Sequence, residues 1–199
     1  MLILKTQDAS TFSTKVRDNS GFSLIELLIT LSIVAILALV VTPSFTSQTS
    51  KNDAKAVIQR LSGLVRVARN HAIYHQKNTI MCPSHDGQTC SQRWQDGALV
   101  FQDNNDNKLP DANESVVRFN APLSDKGTLN WTANRNYLTF SGQGLTGSSA
   151  GSFIYCPGDN NSKHAHALII SFSGKIRHAQ DSNKDGIRES GNAQNIVCS

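Results

Sequence analysis

The hydrophobic pattern of this chain changes character twice. Residues 22–41 form a nearly continuous apolar run that contains one carboxylate, Glu26. A run of about 20 apolar residues is long enough to cross a bilayer as a helix. Between Val57 and Ala72 the apolar residues recur instead at steps of three and four, which is typical of an amphipathic helix that packs one face on a core.

Pro43 lies between these two patterns. A proline inside a helix removes one backbone hydrogen bond, so the sequence predicts a kink or a local break at this position. The helical pattern resumes after it and is expected to continue to about Tyr74. Its apolar stripe is expected to pack on a sheet.

After residue 78 the helical period stops and short strand-like segments follow, separated by Gly, Asn, Asp and Pro. One long helix followed by many short strands predicts an α+β fold with antiparallel sheets. The segment from Ser141 to Ser152 is rich in Gly and Ser and is expected to be a mobile loop. The candidate strands are Asn78–Cys82, Gly97–Gln102, Ser115–Phe119, Thr128–Trp131, Tyr137–Phe140, Ser152–Tyr155, Ala167–Phe172 and Ile176–His178.

All four cysteines follow the apolar run. An even number of cysteines on the exported side of a membrane predicts two disulfides, for which three pairings exist. We expect Cys82 to pair with Cys90, which closes a short loop, and Cys156 with Cys198, which pins the C-terminal tail. The alternative is free or metal-bound thiols, but the sequence has no Cys-x-x-Cys or Cys-His spacing typical of zinc sites.

The segment from Gly21 to Pro43, GFSLIELLITLSIVAILALVVTP, resembles the processing site and N-terminal helix of type IV pilins and pseudopilins. In that family a prepilin peptidase cuts after the glycine and methylates the new N-terminus. The resemblance implies cleavage between Gly21 and Phe22 and a methylated Phe22. The leader of 21 residues is long for the family, so either the start codon lies downstream or the leader is simply long.

The same resemblance implies an assembly role for Glu26, the fifth residue of the mature chain. In the family this carboxylate neutralises the terminal amine of a neighbouring subunit. The physical argument agrees, because a charge in a membrane span is costly and a carboxylate in a dry helix bundle needs a cationic partner. The alternative is a tolerated interfacial charge.

Three segments of the remaining chain resemble the GspH/FimT branch of these proteins: Arg93–Phe101 (RWQDGALVF), Glu114–Arg118 (ESVVR) and Ser173–Arg177 (SGKIR). The branch includes minor pseudopilins of type II secretion and minor pilins of type IV pili. It implies a long N-terminal helix with two antiparallel sheets. It also implies a single-pass protein of the bacterial inner membrane with a periplasmic domain, which later joins other pilins in a filament or pilus tip.

These observations divide the chain into four parts. Residues 1–21 are the prepilin leader, and residues 22–43 are the helix for the membrane or the filament core. Residues 44–77 are the amphipathic helix that packs on the globular domain, and residues 78–199 are the antiparallel β domain.

DNA-binding members of the branch carry a Gly-Arg-x-Arg motif near the C-terminus, and this chain has Gly174-Lys175-Ile176-Arg177. Lysine in place of the first arginine keeps the charge but not the planar fork. Strand alternation directs Lys175 and Arg177 to solvent and Ile176 to the core. The motif predicts DNA capture for natural transformation. The alternative is a hairpin turn in a purely structural subunit.

Two further cations, Lys163 and Arg188, lie near this motif in sequence. Clustered cations bind phosphates without reading sequence. Stacking on bases is not expected, because aromatic residues are sparse here and Phe172 is expected in the core. The partner predicted is therefore duplex DNA. The formal net charge of +4 is only weakly indicative of nucleic acid.

Two loops have the spacing of calcium-binding loops, although no cofactor is required by the fold. Asp181, Asn183, Asp185 and Glu189 follow the D-x-N-x-D-G pattern, but the twelfth position is Asn and not Glu. Such runs also form plain turns.

The second loop places oxygen-bearing side chains at positions 1, 3, 5, 9 and 12, which are Asp103, Asn105, Asn107, Asp111 and Glu114. The sixth residue of this loop is Lys108, whereas a calcium loop has glycine there. Pro110 makes the loop stiffer.

No Ser-His-Asp elbow, HExxH motif or phosphate-binding glycine loop is present, so we do not expect an enzyme and assign no catalytic residue. Two functions remain open. One is a DNA-binding minor pilin for natural transformation. The other is a structural minor pseudopilin of type II secretion, or a minor pilin that primes pilus assembly without binding DNA.

Overall fold

The computed structural model describes residues 21–122 and 126–198, apart from the side chains of residues 39–47. In this described part of the chain, one helix, α1 (Leu24–His75), precedes eight strands. The strands are β1 (Asn78–Pro83), β2 (Ala98–Asp103), β3 (Val116–Asn120), β4 (Gly127–Trp131), β5 (Leu138–Phe140), β6 (Gly151–Pro157), β7 (His166–Ile170) and β8 (Ile176–His178). Short 3₁₀ turns lie at Trp94–Asp96, Gly147–Ser149 and Ser162–His164.

The strands form two antiparallel sheets of four. The first has the order β3-β2-β1-β5 and the second the order β4-β6-β7-β8. The α+β class is confirmed, and each predicted strand corresponds to an observed one. β7 ends at Ile170, two residues earlier than predicted, because the chain turns at Ser171, whose carbonyl accepts a hydrogen bond from Gly174 N at 2.8 Å.

Local hydrogen bonds fix both ends of α1. Ser23 caps the first turn, since its Oγ accepts from the amide of Glu26 at 3.2 Å. At the other end Gln76 has a φ of 53° and Lys77 N donates to Ala72 O at 3.2 Å, a Schellman-type ending. The helix continues through Pro43, so the predicted local break does not occur. A proline removes only one backbone bond, and the turns on either side keep theirs.

The core is organised by the amphipathic part of α1. Its buried stripe contains all the positions that the periodicity singled out, Val57, Ile58, Leu61, Leu64, Val65, Ala68 and Ala72, and it begins one turn earlier, at Ala54. These side chains share one cluster with Met81 and Val100 of the first sheet and with Phe153 and Leu168 of the second. One helix face therefore covers the inner faces of both sheets.

Each sheet has a second, smaller apolar cluster on its other face, and each of these contains a disulfide. Cys82–Cys90 lies with Ile80, Leu99 and Phe101 of the first sheet. Cys156–Cys198 lies with a cluster that includes Ala167, Ile169 and Ile196, which the C-terminal tail covers. These are the two pairs that the sequence analysis expected.

The Gly- and Ser-rich segment from Ser141 to Ser152, expected to be a mobile loop, is held by hydrogen bonds to other elements. Thr146 Oγ1 donates to Ser171 O at 2.8 Å, and Thr146 N donates to Phe172 O at 3.1 Å. Arg69 Nε of α1 donates to Gly144 O at 3.1 Å. The segment therefore holds the β7–β8 turn against the helix.

The N-terminal predictions fall largely outside the described residues. Residues 1–20 of the predicted leader are not described, nor are the side chains at the end of the predicted 22–43 span. In the described part of the chain, no helical stretch combines the length and the apolar content that a bilayer crossing requires. Among the described residues, those up to Thr42 and those from Pro43 onward belong to separate compact units.

The two disulfides should stabilise the domain unequally. They close loops with sequence separations of 8 and 42 residues. In the chain-entropy model, removing Cys156–Cys198 by paired Ser substitutions should cost about 4 kcal/mol, against about 2.5 kcal/mol for Cys82–Cys90. Guanidinium unfolding of the two double variants measures the difference. Equal losses, or free thiols at all four positions in protein taken from the periplasm, would contradict the assignment.

Gly174 should tolerate no side chain. Its φ is +71°, and an added Cβ would lie 2.0 Å from Gly144 O. Gly174→Ala should therefore lower the free energy of unfolding by roughly 2 kcal/mol or more, through backbone strain and displacement of the 141–149 segment. Gly147→Ala is the matched control, since Gly147 has a φ of +54° but open space around it. Equal losses in the two variants would show that the contact with Gly144 is unimportant.

Candidate functional site

The β7–β8 hairpin presents two cations on one face. Arg177 pairs in register with Ile169, and both Arg177 and Lys175 are exposed, while Ile176 between them packs against the main core. This is the arrangement that strand alternation predicted. Within the described part of the chain, neither Lys175 nor Arg177 forms an ion pair. Their charges are therefore available to an external anion.

Arg177 also borders a groove of about 690 Å³ on the outer face of the second sheet. The floor of the groove includes Ile154 and Ile169, and the C-terminal tail from Ser190 to Val197 forms its wall. The tail is held in place by Cys156–Cys198 and by the bond from Ile196 N to Arg188 O at 3.0 Å. A ligand that reaches Arg177 would therefore meet neutral polar and apolar side chains beside it.

Arg188 is placed differently from the hairpin cations. It is half-buried, and its Nη1 donates to Ala165 O at 3.1 Å. It lies beside His166, whose pKa falls to about 4 because of burial and, next, because of the positive charges of Arg188, His178 and Lys55. One of the five N–H donors of Arg188 is therefore already used inside the domain, and the side chain is less accessible than those of Lys175 and Arg177.

Lys163 is exposed at the start of the 3₁₀ turn before β7. It lies near the Asp185 carboxylate, whose pKa is lowered chiefly by the hydrogen bond from Ile187 N, with Lys163 as a lesser cause. A carboxylate this near offsets part of the positive charge of Lys163. Lys175 and Arg177 thus lie together on one exposed face of the hairpin. Lys163 lies near a carboxylate, and Arg188 is half-buried.

One expectation for this region was wrong. Phe172, expected in the core, is 70% exposed, because β7 ends at Ile170 and alternation no longer applies in the turn. His164, before β7, is buried, and its Nδ1 lies 2.6 Å from Asp159 Oδ2. An exposed aromatic side chain therefore stands three residues before Lys175. Ser173 and Gly174, which follow Phe172 and are typical turn residues, were the sequence feature that could have predicted the end of the strand.

The carboxylates of the predicted calcium loop at 181–189 all accept hydrogen bonds from nearby N–H groups of the protein. Asp181 Oδ2 accepts from Gly186 N at 2.9 Å, and the two oxygens of Glu189 accept from Ser182 N at 2.9 and 3.1 Å. Asp185 Oδ2 accepts from the amides of Asn183 and Asn195. In the described part of the chain no group of three or more His, Cys, Asp or Glu side chains is arranged to hold a metal.

The residues expected to act in processing and assembly lie at the start of α1. Gly21 and Phe22 immediately precede the Ser23 cap, and Phe22 is 84% exposed. Glu26 is exposed on the first turn, where a carboxylate also interacts favourably with the helix dipole. It is followed by a helix surface whose apolar side chains are all exposed: Leu27, Leu28, Ile29, Leu31, Ile33, Val34, Ile36 and Leu37.

Comparison with known proteins gives a consistent result. The family model described as the type II transport protein GspH matches residues 57–174, and the prokaryotic N-terminal methylation motif matches residues 16–42. No curated protein sequence matches the chain significantly.

Two crystal forms of the type IV minor pilin FimU from Pseudomonas aeruginosa (strain PAO1) have a similar fold. The first has a TM-score of 0.54 and 17% sequence identity, covering 68% of this chain and 94% of that one. The second has a TM-score of 0.50 at the same identity, covering 65% and 94%. At this identity the likeness concerns the fold.

The GspH match runs from the amphipathic part of α1 to the glycine of the β7–β8 turn, which is more than half of the chain. It includes both sheets except β8, and the methylation motif covers the start of α1. The chain therefore belongs to the GspH family of type IV pilin-like proteins.

Proposed function

We propose that this minor pilin-type subunit captures duplex DNA through Lys175 and Arg177 and serves natural transformation. The observation that carries the proposal is the β7–β8 hairpin, which presents both cations on one exposed face without an ion-pair partner in the described part of the chain. Two such cations attract phosphates whatever the base sequence.

The position of the hairpin supports this role. Gly174 packs so closely against Gly144 that the position of the turn relative to the 141–149 segment is fixed. Arg69 in turn binds that segment to α1. Lys175 and Arg177 are thus carried by a rigid support, which reduces the entropy lost when they bind a phosphate. The carboxylates of Asp181 and Glu189 accept hydrogen bonds from the backbone of their own loop, and in the described part of the chain neither forms an ion pair with the hairpin cations, although Glu189 lines a second pocket together with Arg177.

The chain's route to a filament follows from its N-terminal motif. We propose that residues 22–43 enter the bacterial inner membrane, that the β domain lies in the periplasm, and that prepilin peptidase cuts between Gly21 and Phe22. The exposed apolar side chains before residue 38 support a helix that requires lipid or other pilins around it. The two disulfides support an oxidising compartment.

The second candidate is a structural subunit that binds no DNA, as in type II secretion or in priming of pilus assembly. The observation that favours it is the close packing of Gly174 in the hairpin, which would explain the glycine without any ligand. Both candidates are filament subunits and neither is an enzyme.

Glu26 should be needed for assembly and not for processing. Glu26→Gln should keep the helix start, because Ser23 caps the backbone amide of residue 26 and not its side chain. It removes the charge that would neutralise a neighbour's terminal amine. We expect N-methyl-Phe22 as the first residue in both parent and variant, and at least a tenfold loss of cross-linking into filaments in the variant. Glu26→Asp, which keeps the charge, is the control. Normal incorporation of Glu26→Gln would show that the charge is not required.

DNA binding should depend on Lys175 and Arg177 and on salt. Replacing both by Gln should abolish the mobility shift of duplex DNA by the full mature chain in non-ionic detergent. Where residual binding is measurable, the slope of log K against log salt should fall by about two units, because two phosphate contacts are lost. Lys163→Gln and Arg188→Gln should weaken binding less.

The matched control for net charge is Lys77→Gln with Arg118→Gln, two cations that lie outside the second sheet, between α1 and β1 and on β3. It should bind DNA as the parent does. If the parent shows no salt-dependent binding at low ionic strength, or if both double variants lose binding equally, the DNA proposal is wrong. The structural subunit is then the better interpretation.

A further inference from the structure

Two loops of the domain share one backbone design. In residues 103–108, Asp103 Oδ2 accepts from Lys108 N at 3.2 Å and Asn105 Oδ1 accepts from Asn107 N at 3.1 Å. In residues 181–186, the equivalent bonds join Asp181 Oδ2 to Gly186 N at 2.9 Å and Asn183 Oδ1 to Asp185 N at 3.0 Å. The fourth residue of each, Asp106 and Lys184, has a φ of 65°.

The two loops differ in the burial of their first carboxylate. Asp181 is exposed, but Asp103 is only 2% exposed, and its Oδ1 has no hydrogen-bond partner among the described residues. A buried carboxylate oxygen without a partner is costly, and it points to a ligand that would satisfy it. Because Oδ2 of the same group is held by Lys108 N, the carboxylate is directed into the loop.

Further oxygen-bearing side chains belong to the same loop. The amides of Asn105 and Asn107 both donate to Asp111 Oδ2, at 2.7 and 2.8 Å. Glu114 closes the loop, since its Oε1 accepts from Asn104 N at 2.7 Å and its Oε2 from Asp111 N at 3.3 Å. Carboxylate and amide oxygens are the ligands that Ca²⁺ prefers, and their positions follow the order of a twelve-residue calcium loop.

We propose that residues 103–114 form a calcium site in which Asp103 Oδ1 is the buried ligand. The other ligands are side-chain oxygens of Asn105, Asn107, Asp111 and Glu114. Two of these five ligands are amides, so the site contains only three carboxylates, which are not drawn together until an ion binds. This inference is independent of the DNA proposal, because it concerns the other sheet of the domain.

Lys108 is the feature that limits this site. Its ammonium lies 3.5 Å from Asp103 Oδ2 and also contacts the carboxylate of Asp106. It therefore supplies a positive charge at the rim of the loop and competes with an incoming cation. It reaches Oδ2 and not Oδ1, so the buried oxygen remains for the ion. We expect weak binding, with a Kd on the order of 0.1–1 mM, the range of extracellular calcium modules.

The occupied loop would have a structural consequence. Residues 103–114 connect the end of β2 to the edge strand β3, and the first bond after the loop joins Gln102 N to Ser115 O at 3.0 Å. An ion held by both ends of the loop would fix this edge. If the domain is exported as proposed above, the edge would become rigid only after export, because the calcium concentration outside the cytoplasm is far higher than inside.

The test is a calcium titration of the full mature chain in non-ionic detergent, after treatment with a chelator. Heat of binding gives the affinity, and Tb³⁺ luminescence excited through Tyr137, which borders the same surface pocket as Asn107 and Lys108, reports the position. Lys108→Gly should tighten binding by about tenfold or more, because it restores the glycine of the sixth position and removes the competing charge. Asp103→Asn should weaken it by about tenfold or more.

Asp181→Asn is the matched control in the second loop and should leave the affinity unchanged. Glu114→Gln provides a second loss-of-ligand variant, at a half-buried position where the amide oxygen can keep one of the two backbone bonds, so the outcome does not depend on the folding of the Asp103 variant. Absence of saturable binding up to about 10 mM Ca²⁺ in both the parent and Lys108→Gly would overturn the proposal. So would a Glu114→Gln variant that binds as the parent does.

Discussion

The packing of one stripe of α1 against two sheets is the constraint on which the rest of the domain depends. The stripe from Ala54 to Ala72 is shared by the inner faces of both sheets, so neither sheet has a complete core without the helix. A bridging contact adds to this union, because the buried Tyr155 of β6 donates to Asp53 Oδ2 of α1 at 2.6 Å. Since hydrophobic burial is the main driving force of folding, removal of the stripe would leave two separate sheets that could not persist alone.

The same arrangement explains where the disulfides and the candidate sites lie. A helix that occupies both inner faces leaves each sheet with an outer face, and apolar residues there need another cover. The Cys82–Cys90 loop and the C-terminal tail provide it. The side chains of Lys175 and Arg177 and most residues of the loops at 103–114 and 181–189 are exposed, away from the helix stripe. These exposed residues can therefore vary without disturbing the main core, whereas Gly174 and Ile176 of the same hairpin cannot.

The sequence predicted the elements whose pattern is repeated over many residues. It did not predict the surroundings of single residues that no repeated pattern determines. The stripe of α1 and the strands were predictable, because periods of 3.6 and 2 follow from helix and strand geometry. Phe172 was not, because alternation holds only while the strand lasts and β7 ends at Ile170. The burial of His164 depends on Asp159 as its partner, and the missing partner of Asp103 Oδ1 depends on burial from several elements. Pattern analysis contains no information about such three-dimensional surroundings.

The exchange of arginine for lysine at residue 175 has a physical consequence for how the hairpin would hold DNA. Arginine binds a phosphate with two parallel bonds and fixes its own orientation, whereas a lysine ammonium attracts it as a point charge. Orientation must then come from the support, and here the turn is held by Gly174 against Gly144 and by Thr146 against Ser171. A rigid turn with one lysine and one arginine favours contact with a phosphate backbone over readout of bases. The exposed Phe172 beside it would add an apolar contact that does not require a particular sequence.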